Sequence, residues 1–193
     1  MKLIIVTGKS GSGKTFVANK LAESLNCPVL SLDEVSHQTL TLKSVKQFVK
    51  DTFNESVFEG DEINRKKLGA LAFSNPEKLE QLNDVCHQEM LKIIDRKLQD
   101  TSAKYFVLDY LLLPQMKYFE TAFFKVLVKA DNHTRKTRII SRDNITEEYF
   151  DSRDNNSIEF NDAHYDYVLE NSHNVDLTGL INQIKNAKMP KKS

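Results

Sequence analysis

Short hydrophobic runs alternate along the chain with longer segments of helical periodicity. Five of the runs predict β-strands, and they are continuous rather than alternating, as expected for strands covered on both faces. They are residues 3–6, 29–32, 105–109, 123–128 and 167–169. Because helical segments separate the strands, the pattern predicts an α/β fold with a five-stranded parallel sheet and helices on both faces.

The helical segments fall into three groups. Residues 15–25 carry apolar side chains at helical spacing and end near Pro28, which disfavours the helical conformation of the residue before it. A block of helices separates the second and third strands, and we predict its members at 45–53, 63–73 and 77–99. After the fourth strand, the pattern predicts a helix over 134–150, a polar loop over 151–157, a closing helix over 177–188 and a frayed tail over 188–193.

Composition and charge narrow the class of protein. The 193 residues hold 27 Lys plus Arg and 27 Asp plus Glu, so the formal net charge is zero. That balance excludes a general electrostatic attraction to nucleic acid or to an anionic membrane. No apolar run approaches the roughly 18 residues of a membrane span, and the first run is too short for a signal peptide. Two cysteines, Cys27 and Cys86, are too few for a disulfide framework, so the reducing cytosol is the simplest compartment.

The strongest motif lies between the first strand and the first helix. Residues 8–15, Gly-Lys-Ser-Gly-Ser-Gly-Lys-Thr, match the phosphate-loop pattern G-x-x-x-x-G-K-[ST] in the strand-to-helix context that supports it. The glycines let backbone N–H groups converge on a phosphate at a helix N-terminus. We expect Lys14 to reach the β- and γ-phosphates and the Thr15 hydroxyl to bind Mg²⁺. Lys9 either adds positive potential or points to solvent.

A phosphate loop indicates a nucleotide but not a reaction. The N-K-x-D motif typical of GTPases is absent, and no D-x-x-G follows the end of a predicted strand. Asp109 ends the third strand and either holds Mg²⁺ or caps the next turn. Asp33 ends the second strand, where it is either a base for an attacking hydroxyl or the N-cap of a helix that begins at Glu34. For His37, one turn further on, a solvated helix face is the simpler interpretation.

A basic cluster follows the fourth strand. Arg138 and Arg142 are four residues apart and share a helix face, and Arg135 and Lys136 lie beside them. A small kinase needs arginines that close over the γ-phosphate and exclude water, and Arg153 is a candidate for a second such arginine. The alternative is a solvated face paired with nearby acidic residues, which are Asp143, Glu147 and Glu148.

Taken together, the order of these motifs resembles the dephospho-CoA kinase family over most of the chain. The phosphate loop is common to many families, but two further blocks are much more specific. Residues 64–69, Asn-Arg-Lys-Lys-Leu-Gly, and residues 73–79, Phe-Ser-Asn-Pro-Glu-Lys-Leu, resemble the family's D-R-x-x-L-G and V-F-x-D-P-x-x-L. Further similar segments are 31–33 (D-A-D), 86–88 (H-P), 107–113 (V-x-D-x-P-L-L), 138–143 (R-L-x-x-R-D) and 166–171 (A-D-x-V-I-x-N).

The chain departs from the family pattern at a few positions. Gln88 replaces the proline after His87, and Leu111 stands where proline is usual. Pro114-Gln115 replaces Phe-Glu, and Asn156 stands where a glutamine is usual. These positions belong to the acceptor pocket and the lid of the family, so the phosphate-binding residues are unaffected and the chain resembles a divergent member.

The resemblance implies an enzyme that transfers the γ-phosphoryl group of ATP, with Mg²⁺, to the ribose 3′-hydroxyl of dephospho-CoA, the last step of coenzyme A biosynthesis. It implies a P-loop NTPase fold with a nucleotide-binding core (1–35, 102–133 and 164–193), a helical acceptor-binding insertion (36–101) and a small lid (134–163). It also implies a cytoplasmic protein, a monomer or weak homo-oligomer, that binds this small molecule rather than nucleic acid or membrane. Two alternatives stay open: another small-molecule P-loop kinase, such as a nucleoside or nucleotide kinase, and a non-catalytic nucleotide-binding protein.

The same resemblance implies roles for individual residues. The catalytic residues would be Lys14, Asp33 and Arg142. The nucleotide would be bound by Gly8, Gly11, Ser12, Gly13, Lys14, Thr15, Phe16 and Asn171. The acceptor would be bound by Asp33, Arg65, His87, Leu113, Arg138 and Arg153, and the metal by Thr15 and Asp109. Three of these have structural alternatives: Arg65 as a salt-bridge partner of Asp61 or Glu62, His87 as an ordinary helix residue, and Asn171 as a cap of the strand end.

Overall fold

A five-stranded sheet forms the centre of the computed structural model, which describes residues 1–172 and 175–188. Its strands are β1 (Lys2–Thr7), β2 (Val29–Ser31), β5 (Tyr105–Asp109), β6 (Phe124–Lys129) and β7 (Tyr167–Glu170); β3 and β4 form a separate hairpin described below. All neighbouring strands are parallel, and their order across the sheet is β2-β5-β1-β6-β7. The predicted α/β fold and its parallel sheet are therefore confirmed.

The residues group into two compact units. The first comprises residues 1–31 and 102–193, and the second comprises residues 32–101. The helices of the first unit are α1 (Lys14–Leu25), α6 (Lys117–Thr121), α7 (Asn132–Asp143), α8 (Glu147–Asn155) and α9 (Thr178–Asn186). The family resemblance implied three domains with other boundaries, and those boundaries remain a prediction.

The core of the first unit explains why the strands are continuously hydrophobic. Ile4 and Val6 of β1 are fully buried in a cluster that also contains Leu21 of α1 and Ile184 of α9. Ile5 alternates with them, so it faces the opposite side of the sheet, and it too is fully buried. Each such side chain contributes about 1.5–3 kcal/mol by leaving water.

The second unit is mainly helical. Its elements are α2 (Leu32–Thr39), α3 (Lys43–Phe53), a two-residue hairpin of β3 (Phe58–Glu59) and β4 (Glu62–Ile63), α4 (Arg65–Phe73) and α5 (Pro76–Gln99). Val45, Val49 and Phe53 are buried in its core at helical spacing, in agreement with the helix predicted over 45–53. Asn75 caps α5 by accepting a hydrogen bond from the Lys78 amide, and Pro76 is the first residue of the helix. The hairpin was not predicted because two-residue strands have no readable period.

The prediction over residues 134–157 was wrong in two respects. The single helix predicted to reach residue 150 is two helices, because Asn144 adopts the left-handed conformation (φ 51°) and ends α7. Thr146 then caps α8 by accepting a hydrogen bond from the Tyr149 amide. Residues 151–155, predicted as a polar loop, belong to α8.

Smaller differences occur at other helix ends. The second strand ends at Ser31, so α2 begins at Leu32, one residue inside the predicted strand. The closing helix α9 is shorter than predicted and ends at Asn186. Of the predicted frayed tail, 188–193, residues 189–193 lie outside the described part of the chain.

Candidate active site

The carboxyl ends of three neighbouring strands bring the candidate residues of the first unit together. In the strand register, Val6 pairs with Asp109 of β5, and Thr7 pairs with Leu127 of β6. The glycine-rich loop, residues 8–13, leaves β1 at this edge and enters α1 at Lys14. Ligand sites of open parallel sheets lie at this edge.

Three glycines of the loop have backbone positions that no other residue could occupy. Gly8, Gly11 and Gly13 all have positive φ, at 154°, 79° and 87°. A Cβ on Gly8 would lie 2.2 Å from the Val128 carbonyl oxygen, and one on Gly13 would lie 2.2 Å from Asn171 Nδ2. The loop therefore needs glycine at these positions, as predicted, and its backbone is available to an anion.

Two polar groups of the loop region have no protein partner among the described residues. The Ser12 hydroxyl is fully buried and has no hydrogen-bond partner among the described residues. The Lys14 side chain is largely buried, and it forms no hydrogen bond or ion pair with residues 1–172 or 175–188. An ammonium and a hydroxyl in this state fit a phosphate group, which supplies the missing acceptors.

Thr15 and Asp109 form a pair suited to a divalent cation. Thr15 Oγ1 donates to Asp109 Oδ2 at 2.5 Å, and Asp109 is completely buried at the end of β5. Hydroxyl and carboxylate oxygens are the ligands that Mg²⁺ prefers, and Mg²⁺ completes its shell with water and phosphate oxygens. The described residues contain no group of three or more acidic, His or Cys side chains that could hold a metal ion.

Arg138 and Asn171 donate hydrogen bonds to carbonyl groups of the loop. Arg138 Nη1 donates to the Gly11 carbonyl at 3.1 Å, and its Nη2 donates to the Asn171 carbonyl at 2.8 Å. The buried Asn171 amide donates to the Ser12 carbonyl at 2.8 Å. The solvated-face alternative for Arg138 is therefore wrong. Roles for Arg138 at the acceptor and for Asn171 at the nucleotide remain predictions.

Arg142 and Arg153 line a cleft beside Ser10, Leu111 and Ile139. Arg142 binds the adjacent Asp143 through two bonds of 2.7 and 2.9 Å, and this pairing lowers the pKa of that carboxyl. The exposed Arg153 lies over the Tyr149 ring. Both guanidinium groups are exposed, and the pair between Arg142 and Asp143 fits the alternative of a solvated face paired with acidic residues. The lid roles of Arg142 and Arg153 remain predictions.

Two contacts near the loop were not anticipated from the sequence. Lys9 pairs with Glu159 rather than pointing to solvent. Arg135 is buried and bonded to Asp154 of α8 as well as to the Ser10 carbonyl. Local spacing could not reveal these contacts, because Glu159 lies 150 positions from Lys9 and Ser10 lies 125 positions from Arg135.

The remaining candidates have simpler surroundings. In the second unit, Asp33 is exposed in the first turn of α2; its N-cap alternative is wrong, because the helix begins before it. Arg65 and His87 are exposed there, and Glu62, one alternative partner of Arg65, pairs with Lys46. In the first unit, Leu113 is fully buried and Phe16 is exposed. The roles of all five remain predictions.

The parallel sheet and the glycine loop define a P-loop nucleotide-binding protein. Comparison with known proteins then identifies the family: the sequence profile described as dephospho-CoA kinase matches residues 2–176. The chain belongs to the dephospho-CoA kinase family, as the motifs indicated. It is therefore a kinase, with ATP as the phosphoryl donor and a small molecule as the acceptor.

Individual relatives agree with this assignment. A dephospho-CoA kinase from Dehalococcoides mccartyi is 38% identical over 105 residues, which are 54% of this chain and 52% of that protein. One from Aquifex aeolicus is 31% identical over 183 residues, 92% of each protein. The solved structure of a Thermus thermophilus protein matches with a TM-score of 0.76 and 29% identity over 89% of each chain. Among the described residues, no helix is both long and apolar enough to span a membrane.

Proposed function

We propose that this chain transfers the γ-phosphoryl group of ATP to the ribose 3′-hydroxyl of dephospho-CoA, which yields CoA and ADP. The observation that carries the proposal is the loop at residues 8–15, with its unpartnered Lys14 ammonium, in a chain whose family match covers residues 2–176. The match at residues 64–79 to the family's acceptor-side motifs supports this acceptor over a nucleoside.

The loop residues bind the donor. Backbone N–H groups of Gly8, Gly11 and Gly13, with the Ser12 hydroxyl and the N-terminus of α1, attract the phosphate oxygens. Lys14 reaches the β- and γ-phosphates and stabilises the charge that develops during transfer. The exposed Phe16 and the buried Asn171 border the nucleotide.

The Thr15 hydroxyl and the Asp109 carboxylate hold Mg²⁺, directly or through water. When bound, the ion neutralises phosphate charge as the phosphoryl group is transferred. Asp109 keeps Thr15 Oγ1 oriented through the 2.5 Å bond between them. The pair is thus preorganised for the ion before it arrives.

Asp33 accepts the proton of the attacking 3′-hydroxyl. Its carboxylate lies two residues after the last residue of β2 in the sequence, and the family carries a base at the matching position. Arg142 and Arg153 neutralise the transferring phosphoryl group and bind the acceptor, and Arg138 assists them. Arg65, His87 and Leu113 complete acceptor binding.

The cellular setting is part of the same proposal. Both cysteines, Cys27 and Cys86, are free thiols, and this supports a reducing compartment such as the cytoplasm. We further propose that the protein acts as a monomer or a weak homo-oligomer.

Product analysis by mass spectrometry tests the proposal. The protein is mixed with ATP, Mg²⁺ and dephospho-CoA, with Lys14→Ala as the inactive control and an active dephospho-CoA kinase alongside. We expect a product heavier by one phosphoryl group, carried on the 3′-hydroxyl, with wild type only. Absence of CoA from wild type, while nucleosides or nucleotides become phosphorylated, would replace this acceptor with another.

A further inference from the structure

A buried arginine outside the predicted site connects the phosphate loop to helix α8. Arg135 of α7 is 6% exposed. Its Nη1 donates to the Ser10 carbonyl at 3.3 Å, and its Nη1 and Nη2 donate to the two Asp154 carboxylate oxygens at 2.5 and 2.7 Å. The guanidinium carbon also lies 5.7 Å from the centre of the Phe150 ring. One side chain therefore joins the loop, α7 and α8.

The planar guanidinium suits this arrangement because it offers several donors in a fixed fork. Asp154 takes the bidentate edge, while Nη1 also reaches the loop. A lysine ammonium has no such edge, so it could not hold both partners in this geometry. The hydrogen bonds from Arg135 lower the pKa of Asp154, so the pair stays ionised.

The bond to Ser10 has a consequence for the anion site. The peptide that joins Ser10 to Gly11 is planar and trans, so its carbonyl and its N–H point in opposite directions. A guanidinium that holds the Ser10 carbonyl therefore fixes the direction of the Gly11 N–H. The Arg135 backbone also packs against the loop, because a Cβ on Gly11 would lie 2.7 Å from the Arg135 carbonyl oxygen.

A neighbouring ion pair offers a comparison on the same two helices. Lys136 of α7 binds Asp151 of α8 at 2.8 Å and Glu147 at 3.6 Å. These pairs also attach α8 to α7, but none of them reaches the phosphate loop. The feature that distinguishes Arg135 from Lys136 is the bond to the loop.

We propose that Arg135 is a positioning residue for nucleotide binding, which holds the Ser10–Gly11 peptide in its anion-binding orientation while Asp154 fixes the guanidinium. The inference rests on the proposed function only through nucleotide binding and does not depend on the acceptor. Asp154 acts through Arg135, whose guanidinium it binds.

Calorimetric titration with Mg²⁺-ADP, without acceptor, tests the proposal. We expect Arg135→Met to raise the Kd about tenfold, the scale of one lost charged hydrogen bond. The control Lys136→Met should stay within about twofold of wild type. The double variant Arg135→Met/Asp154→Leu leaves no unpaired buried carboxylate, so it separates loss of the fold from loss of the loop contact. Its Kd should remain raised although its thermal midpoint recovers.

Two kinetic measurements extend the test. In Arg135→Met the KM for ATP should rise while the KM for dephospho-CoA stays unchanged, and Arg135→Lys should rescue only part of the loss. Wild-type affinity in the folded double variant would overturn the proposal, as would an equal loss in Lys136→Met. Wild type could bind Mg²⁺-ADP, with the expected rise in Kd for Arg135→Met and no rise for Lys136→Met, and still make no CoA. In that case the acceptor assignment fails and the role of Arg135 stands.

Discussion

At the residue scale, the contact between Gly13 and Asn171 is as close as that between Gly8 and the Val128 carbonyl, since a Cβ on either glycine would meet its neighbour at 2.2 Å. The Asn171 amide donates to the Ser12 carbonyl and leaves no room for a side chain on the next residue. Gly13 also has a φ of 87°, which disfavours any residue with a Cβ. The loop geometry therefore depends on Gly13 for two separate reasons, one steric and one conformational.

We expect Gly13→Ala to weaken ATP binding by about tenfold or more, because a Cβ would displace Asn171 and turn the loop peptides away from the anion. Titration with ATP measures the loss. Gly179→Ala is a matched control, since a Cβ there meets its nearest atom, the Tyr167 hydroxyl, at an ordinary 3.5 Å. Unchanged ATP affinity in Gly13→Ala would contradict the close contact.

Asp33 allows a second test at a single residue. Asp33→Asn removes the proton acceptor but keeps the shape of the side chain, so kcat should fall roughly 10²-fold or more while ATP affinity is kept. Steady-state kinetics and nucleotide titration measure the two quantities. Glu34→Gln, an exposed neighbour on α2, should change neither. If kcat of Asp33→Asn stays within about threefold of wild type, Asp33 is not the base.

At the element scale, the sequence-based prediction failed at helix ends. The hydrophobic pattern over 134–150 continues through Asn144 and Thr146, so periodicity alone joins α7 and α8. The break depends on a left-handed asparagine and a threonine cap, which are short-range signals that a hydrophobic pattern does not weigh. A proline is a stronger signal: the helix predicted over 63–73 ends at Phe73 as predicted, shortly before Asn75-Pro76.

The N-terminus of α7 provides a pH-dependent prediction. Asp131 caps this helix, and hydrogen bonds from the Thr134 hydroxyl and amide lower its pKa well below the usual range of an aspartate. A carboxylate with a lowered folded-state pKa stabilises the protein above its unfolded pKa of about 3.9 and loses that effect as the pH falls through the folded value. Acidification below about pH 4 should therefore remove the contribution of this cap.

Thermal unfolding at a series of pH values measures the contribution of the Asp131 cap to stability. Asp131→Asn should lower the melting temperature at pH 7, and the difference from wild type should shrink as the pH falls from about 5 to about 2. Asp84→Asn, at an exposed position in α5, provides the control and should differ little from wild type at any pH. A difference for Asp131→Asn that is constant over this range would exclude the charge of the cap as its cause.

At the scale of the whole molecule, what could be predicted from the sequence was local or periodic. The five strands, the glycine loop and the insertion all follow from runs of neighbouring residues, such as Ile4 to Val6 and Gly8 to Thr15. The contacts that shape the site are long-range. Arg135 reaches Ser10 across 125 positions, and Asn171 reaches Ser12 across 159. No spacing rule connects such residues, and the family resemblance did not include Arg135.

The residues around the loop also predict how ligands change the stability of the molecule. Mg²⁺-ADP binds the folded unit and not the unfolded chain, so at 100 times its Kd it should add about 2.7 kcal/mol to the free energy of unfolding. Because we propose that Thr15 and the buried Asp109 hold Mg²⁺, chelation of the ion should shrink the rise in melting temperature that ADP produces.

Thermal unfolding of wild type and Asp109→Asn, with ADP and with either Mg²⁺ or a chelator, measures this linkage. Chelator alone should leave the melting temperature of ligand-free wild type unchanged, since the fold does not depend on the ion. In Asp109→Asn the extra rise from Mg²⁺ should be smaller than in wild type, while ADP still raises the melting temperature through Lys14 and the loop. Equal shifts with Mg²⁺ and with chelator in wild type would place the cation elsewhere or remove it from nucleotide binding. A loss of the ADP shift in Lys14→Ala under both conditions would assign the remaining affinity to the phosphate loop itself.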